Sequence, residues 1–258
     1  MTPSIIPLFS SSSSLLEGGI FTVEKAGERQ KSGYKKGPIS LCDLAKDEGL
    51  KDLFLVESNF VSFMAAYKNM EAIGTQLKFG LKLTVCEDME AKNEESFKTE
   101  SKVIIFMGAD TAYKYLIKIY SVASTKGFYY IPRIDWKTLK SMWAEDLILA
   151  LPFYSSFLAK NTLTFASIAP DLPVNPVPLI ESNLLPFDYL IKDAVSKYAN
   201  ANNLQPQLAK SIYYKNRSDA KSWMIWRCIL SRTTWDKPNL DHCTSKEFCY
   251  ESWKGANI

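Results

Sequence analysis

Residues 102–139 read K-V-I-I-F-M-G-A-D-T-A-Y-K-Y-L-I-K-I-Y-S-V-A-S-T-K-G-F-Y-Y-I-P-R-I-D-W-K-T-L. The apolar run 103–107 is short enough for a buried strand. Gly108, Ala109 and Asp110 make a turn, and Asp110 has the side chain to cap a helix beginning there. Tyr113, Leu116, Ile117 and Tyr120 recur at three- and four-residue steps, which is one face of a helix. Lys126 and Gly127 end that helix, with a cation in its last turn and a glycine at the stop. Strand, helix and extended aromatic run together make one unit of an alternating α/β fold.

Upstream, residues 4–9 (S-I-I-P-L-F) read as a short buried strand, with Pro7 suited to an edge or a strand start. Five serines occupy 10–14, a composition that on its own reads as a flexible loop. Residues 22–38 are charged and glycine-bearing, an exposed excursion; its Lys31, Lys35 and Lys36 are read as solvated rather than as phosphate ligands. Ser40 caps a helix over 41–48 that stops at Gly49. Residues 52–56 form a buried strand. A helix over 60–73 buries Phe63, Met64, Tyr67, Met70 and Ile73. Residues 76–86 alternate as a strand, and the acidic stretch 87–102 is an exposed connection.

Downstream, helices are predicted near 136–143 and over 154–160, 184–200 and 218–230, the last capped by Ser218. Strands are predicted at 147–151, 163–168 and 207–214. Residues 169–178 hold four prolines and are predicted to be a loop. The tail from Thr233, with Trp235, His242, Phe248, Tyr250 and Trp253, shows no deciding periodicity. About seven strand–helix alternations argue for parallel strands wrapped by helices, in a barrel or an open sheet.

At 258 residues and 47% hydrophobic content, the chain can bury a sizeable core. It has no apolar run of membrane-spanning length, and its start lacks the basic character of a secretory signal. A net charge of +3, not gathered into one block, is too slight to argue for nucleic acid. The five cysteines (Cys42, Cys86, Cys228, Cys243 and Cys249) form no C-x-x-C pair and read as reduced thiols in a cytoplasmic protein. The composition includes one histidine, His242. Mechanisms that need several imidazoles are excluded by that count alone.

The run G-F-Y-Y-I-P-R-I-D, from Gly127 to Asp135, resembles the G-F-Y-Y-x-P-R-I-D of the PHP (polymerase and histidinol phosphatase) domain that opens the alpha subunit of bacterial DNA polymerase III. The resemblance extends over nearly the whole chain. The opening S-I-I-P-L-F-S-S-S-S-S-L-L-E-G is similar to F-V-H-L-H-V-H-S-x-Y-S-L-L-D-G. Phe79-Gly80-Leu81-Lys82 stands where the family has I-G-x-E, and the run 209–214 where it has A-T-N-D-V-H-Y. What the resemblance implies is a distorted seven-stranded (β/α)7 barrel over 1–232. Residues 233–258 would then be an extension resembling the linker toward a polymerase palm.

Active members of that family are similar to other multinuclear phosphoesterases, in which histidines and carboxylates at strand ends hold two or three metal ions. Carried over residue by residue, those positions fall on Leu8, Ser10, Glu57, Ser58, Lys82, Tyr154, Ser211 and Tyr213. Only Glu57 keeps a carboxylate, and Lys82 replaces one with an ammonium. Two like charges ~4 Å apart cost on the order of 4 kcal/mol at an effective dielectric of ~20. A lysine beside a dication site therefore works against metal. Framework residues such as Gly18, Gly80 and the Y-Y-x-P-R-I-D run persist while the ligands do not.

The expectation is a catalytically inactive PHP-like domain in DNA replication, with no metal and no cofactor. It would dock a polymerase chain, a proofreading exonuclease or both, touch nucleic acid only through them, and make no membrane contact. The rivals are a decoy that blocks a host replicase and a residual phosphoesterase with a rebuilt site. His242, Cys243 and Cys249 match no common zinc spacing. Glu57 is read as a salt-bridge partner of Lys82 rather than a lone base, and Arg133 as either an anion contact or the structural partner of a carboxylate. Trp223 and Trp226 are read as core packing, with a partner surface as the alternative.

Overall fold

The computed structural model describes residues 4–12, 14–16, 40–234 and 245–256. Gly18, the excursion 22–38 with its three lysines, Trp235, His242 and Cys243 lie outside the described residues. In chain order the elements are β1 Ile6–Phe9, α1 Leu41–Asp47, β2 Asp52–Glu57, α2 Phe63–Ala72, β3 Gln76–Cys86, β4 Ser101–Met107 and α3 Tyr113–Thr125. Next come β5 Arg133–Asp135, α4 Trp136–Ser141, β6 Leu147–Leu151, α5 Phe157–Thr164, β7 Val177–Ile180, α6 Asp188–Ala201, β8 Gln207–Ile212, α7 Ala220–Ser231 and α8 Tyr250–Ala256.

The chain divides into two compact units. The first comprises Met1–Phe79, Ser182–Pro186 and Ala209–Ile258, and the second Gly80–Glu181 and Phe187–Leu208. In the first, β1 lies between β2 and β8 and is parallel to both, with Leu8 opposite Phe54 on one side and Ser211 on the other. In the second, β4 runs antiparallel to β3 and to β6, while β6 and β7 are parallel and β5 pairs in parallel with β3. The hydrogen-bonded order is β2-β1-β8-β7-β6-β4-β3, and a β2–β3 pairing closes these seven strands into a ring, with β5 outside on β3.

A strict strand–helix repeat predicts parallel neighbours throughout, and β4 departs from it. The reason lies in the connection 87–100. It contains a single 3-10 turn, Glu94–Lys98, and no crossover helix. Without a crossover the chain returns antiparallel. The close β3–β4 contact also explains Gly80: a Cβ there would lie 2.6 Å from the Phe106 ring and 2.8 Å from Ile104.

Burial follows the predicted periods with local shifts. In β2, Leu53, Leu55 and Glu57 point inward. In α1, Leu41, Leu44 and Ala45 are fully buried. Helix α2 buries Phe63, Ala66 and Met70 and leaves Met64 and Tyr67 exposed. Its Phe63 meets Phe79 edge-on at 5.0 Å, with Phe60 stacked on Phe79 at 5.5 Å. In the second unit α3 buries Leu116, Ile119 and Ala123, rotating the predicted face so that the tyrosines sit at its margin. That keeps their hydroxyls near water.

Four further readings are corrected. Asp110 lies in the 3-10 turn Asp110–Ala112, and α3 starts without a side-chain cap. Residues 163–168, predicted as a strand, are the end of α5 and an extended segment, the helix stopping at a left-handed Phe165. The proline-rich run is a loop only to Pro176. Val177–Ile180 is a strand whose Pro178 faces Leu151, because a strand end can dispense with one N–H. Helix α7 starts at Ala220 behind a 3-10 turn with an Asn216–Asp219 capping box, so Ser218 is not its cap.

The described part of the tail completes the first unit. Tyr213 N–H donates to Phe248 O (3.0 Å), Tyr250 N–H to Tyr214 O (3.0 Å) and the Trp253 indole to Ile5 O (2.7 Å). Lys254 pairs with Glu48 at 2.6 Å. No helix among the described residues is long and apolar enough to cross a membrane.

Candidate functional site

Parallel strands present their C-terminal ends on one side. In the first unit β1, β2 and β8 bring together six of the eight positions where the sequence predicts vestigial metal ligands. Leu8 and Ser10 end β1, Glu57 and Ser58 end β2, and Ser211 and Tyr213 end β8. Lys82, on β3 opposite Ile104, and Tyr154, after β6, belong to the second unit.

Glu57 is the centre of this group. Its side chain is buried, with 2% of the residue exposed. The Ser11 N–H donates to Glu57 Oε1. Burial pushes the Glu57 carboxyl above its ordinary range, and hydrogen bonds from Ser11 and Ser12 offset part of that rise. The serine run, which composition assigns to a flexible loop, is therefore built into the site where it is described. Ser14 Oγ donates to Tyr213 O at 2.6 Å, the Leu15 N–H donates to the same carbonyl at 2.8 Å, and Ser14 Oγ accepts the Leu16 N–H at 3.0 Å. Ser11 and Ser14 are both buried.

The remaining positions are occupied by side chains with other duties. Leu8 is a buried aliphatic residue. Tyr213 stacks on Trp223 at 4.8 Å with the rings 12° apart, and Phe248 lies 6.0 Å away. Trp223 is fully buried, so this tryptophan packs in the core. The ring of Trp226 is part-buried, and its indole N–H has no partner among the described residues. In the second unit Tyr154 donates to Asp188 Oδ1 at 3.0 Å, at the start of α6.

Multinuclear phosphoesterase chemistry needs several anionic or imidazole donors converging on dications. The six gathered positions offer one carboxylate, three serine hydroxyls, a phenol and an aliphatic chain. This donor set does not fit a metal cluster. Among the described residues, no group of three or more His, Cys, Asp or Glu side chains is placed to hold a metal ion. Cys249 is buried with its Sγ near Lys246 O (3.4 Å), and the other two soft ligands of the tail lie outside the described residues.

Arg133 takes the structural one of its two readings. It is fully buried in the second unit, donating to Glu100 Oε1 at 2.9 Å, Ser96 Oγ at 2.8 Å, Ala91 O at 3.2 Å and Gly127 O at 3.3 Å. Its guanidinium also lies 5.0 Å from the Tyr129 ring. Lys160 adds two 2.6 Å bonds to Phe97 O and Glu100 O. Two cations thus pin the connection 87–100, which the sequence leaves as an exposed acidic link. Gly127 is required beside them, because a Cβ there would meet Arg133 O at 1.9 Å.

The partners of Glu57 and Arg133 escape sequence reasoning for different reasons. Ser11 and Ser12 come directly after a strand, a signal that was available but is masked by the low complexity of the run. Glu100 and Ser96 are more than thirty residues from Arg133, and no local pattern links them.

A family model described as the PHP domain matches residues 37–160, just under half of the chain. The match includes Glu57, Ser58, Lys82, Arg133 and Tyr154, and excludes Leu8, Ser10, Ser211 and Tyr213. No curated protein matches the chain.

Proposed function

We propose that this chain is a PHP-like domain that has given up metal-dependent phosphoester hydrolysis and serves as a structural or docking subunit in DNA replication. The observation that carries this reading is the Glu57 carboxylate, buried and bonded by Ser11. Where the family's resemblance implies a cation beside that group, this chain supplies N–H and O–H donors from its own backbone and serines. These donors engage the carboxyl without a dication, and burial, which outweighs them, favours its uncharged form over a charged metal ligand. The PHP-domain match at 37–160 supports the domain, and the likeness of G-F-Y-Y-I-P-R-I-D to the replicase motif is what suggests the pathway. A framework whose Gly80, Gly127 and Arg133 remain structurally necessary supports retention for binding.

The partners that fit this reading are a polymerase chain, a proofreading exonuclease, or both. Affinity purification of the tagged chain from its native cell tests it. Recovery of a polymerase or exonuclease chain in stoichiometric amount is the expected result, and recovery of no replication protein contradicts it. Adding the purified chain to a replicase assay separates the two modes of binding: stimulated or stabilised synthesis accords with support, and inhibition with a decoy.

A further inference from the structure

The second unit holds a cleft that is separate from the strand-end group and has no part in the proposed docking role. Its volume is about 660 Å³, within the range of about 300–1,000 Å³ usual for small-molecule sites. Helix α4 lines it through Trp136, Lys137 and Lys140, and the segment 166–171 supplies a second wall; Glu87, Lys98 and Thr99 complete the lining.

The second wall is fixed in place. Asn161 holds it midway, donating from Nδ2 to Ile168 O at 2.8 Å and accepting the Ile168 N–H on Oδ1 at 3.0 Å. At its end Lys140 Nζ grips both Asp171 oxygens, at 2.6 and 2.8 Å. The wall follows Phe165, a bulky residue at φ 56° that is 92% exposed. A left-handed conformation there is strained, and its exposed ring buries nothing that would offset the strain.

The α4 wall carries donors without acceptors. Lys140 is taken by Asp171, and Lys98 by Glu95 at 2.6 Å. Lys137 has no ion pair among the described residues. Trp136 is 7% exposed, and its indole N–H likewise has no hydrogen-bond partner among them. That N–H is not sealed in the core but open to solvent at the cleft, so an acceptor entering there would take the place of water on it. On the second wall, Ile168, Ala169 and Pro170 give an apolar surface.

We propose that this cleft binds a small organic oxyanion, a phosphate or carboxylate carried on a flat apolar body. The oxyanion accepts from the Lys137 ammonium and the Trp136 indole N–H, and the apolar body lies against Ile168 and Pro170. The cleft is larger than a bare phosphate requires, which assigns the apolar part a place of its own.

The test is calorimetric titration of the full chain with 1-naphthyl phosphate, 1-naphthoate, 1-naphthol and inorganic phosphate. Saturable binding of at least one naphthyl anion, with 1-naphthol and inorganic phosphate each at least about tenfold weaker, is the expected result. Between the two anions, the tighter one identifies the headgroup. Lys137 is exposed, so Lys137→Gln leaves the fold intact; it is expected to weaken the anion about tenfold, while Lys137→Arg retains it. Trp136→Phe keeps the ring, removes the donor and weakens the same anion. The proposal is overturned if neither naphthyl anion binds, if 1-naphthol or inorganic phosphate binds equally well, or if Lys137→Gln leaves the affinity unchanged.

Discussion

Burial acts on the Glu57 carboxyl more strongly than the donors of Ser11 and Ser12, so the folded chain favours its protonated form above the ordinary value of 4.5. The sign of the pH effect is set by that shift. The contribution of Glu57 to stability is fully present below 4.5 and is lost as pH rises through its folded value. Glu57→Gln keeps an acceptor for the Ser11 N–H and removes the titration. Thermal melts from about pH 4 to about pH 8 should show the variant gaining on the wild type as pH rises; a constant gap contradicts the shift. At the same scale, Phe165→Gly relieves a left-handed backbone at little loss of packing. It should raise unfolding stability by up to about 1 kcal/mol in denaturant. Of these residues the sequence singles out Glu57 by its place after a strand. Its serine partners and the backbone of Phe165 depend on tertiary placement that composition does not encode.

Most elements were legible because hydrophobic period and caps act locally: α1 behind Ser40, β3 by alternation and β6 as an apolar run all stand where the pattern puts them. What was lost depended on neighbours. The segment 163–168 has the residues of a strand, yet β7 pairs with β6 instead. The direction of β4 was set by a connection whose lack of a helix is visible only once its turn is seen. That connection rests on Arg133, and removing a fully buried cation leaves Glu100 and two carbonyls short of a partner. Arg133→Leu should therefore cost about 3–5 kcal/mol in equilibrium denaturation. Gly127→Ala, which drives a methyl into the Arg133 carbonyl, should destabilise the same region, and hydrogen exchange should show the loss first in 87–100 and β5. Unchanged protection there would contradict the role assigned to this strut.

Over the whole molecule, the alternation of strand and helix patterns conveyed the α/β class. The ring of seven strands carries an antiparallel β4 and an outlying β5 in place of a uniform (β/α)7 repeat. The described tail packs into the first unit through Phe248, Tyr250 and Trp253. Glu247 shows how firmly that tail is held: Arg217 and Ser252 beside it bring its carboxyl down to about 2. Its depressed value contributes stability above 4.5 that is lost as pH falls toward 2, opposite in sign to Glu57. Arg217→Ala should reduce acid resistance between those limits, measured as the midpoint of acid unfolding. The central claim concerns the site at the strand ends. The most direct measurement of it is release of p-nitrophenol from bis(p-nitrophenyl) phosphate by metal-stripped protein supplemented with manganese or zinc. The account predicts no metal-dependent release above the rate of the metal alone; metal-dependent turnover that disappears in Glu57→Gln would contradict it.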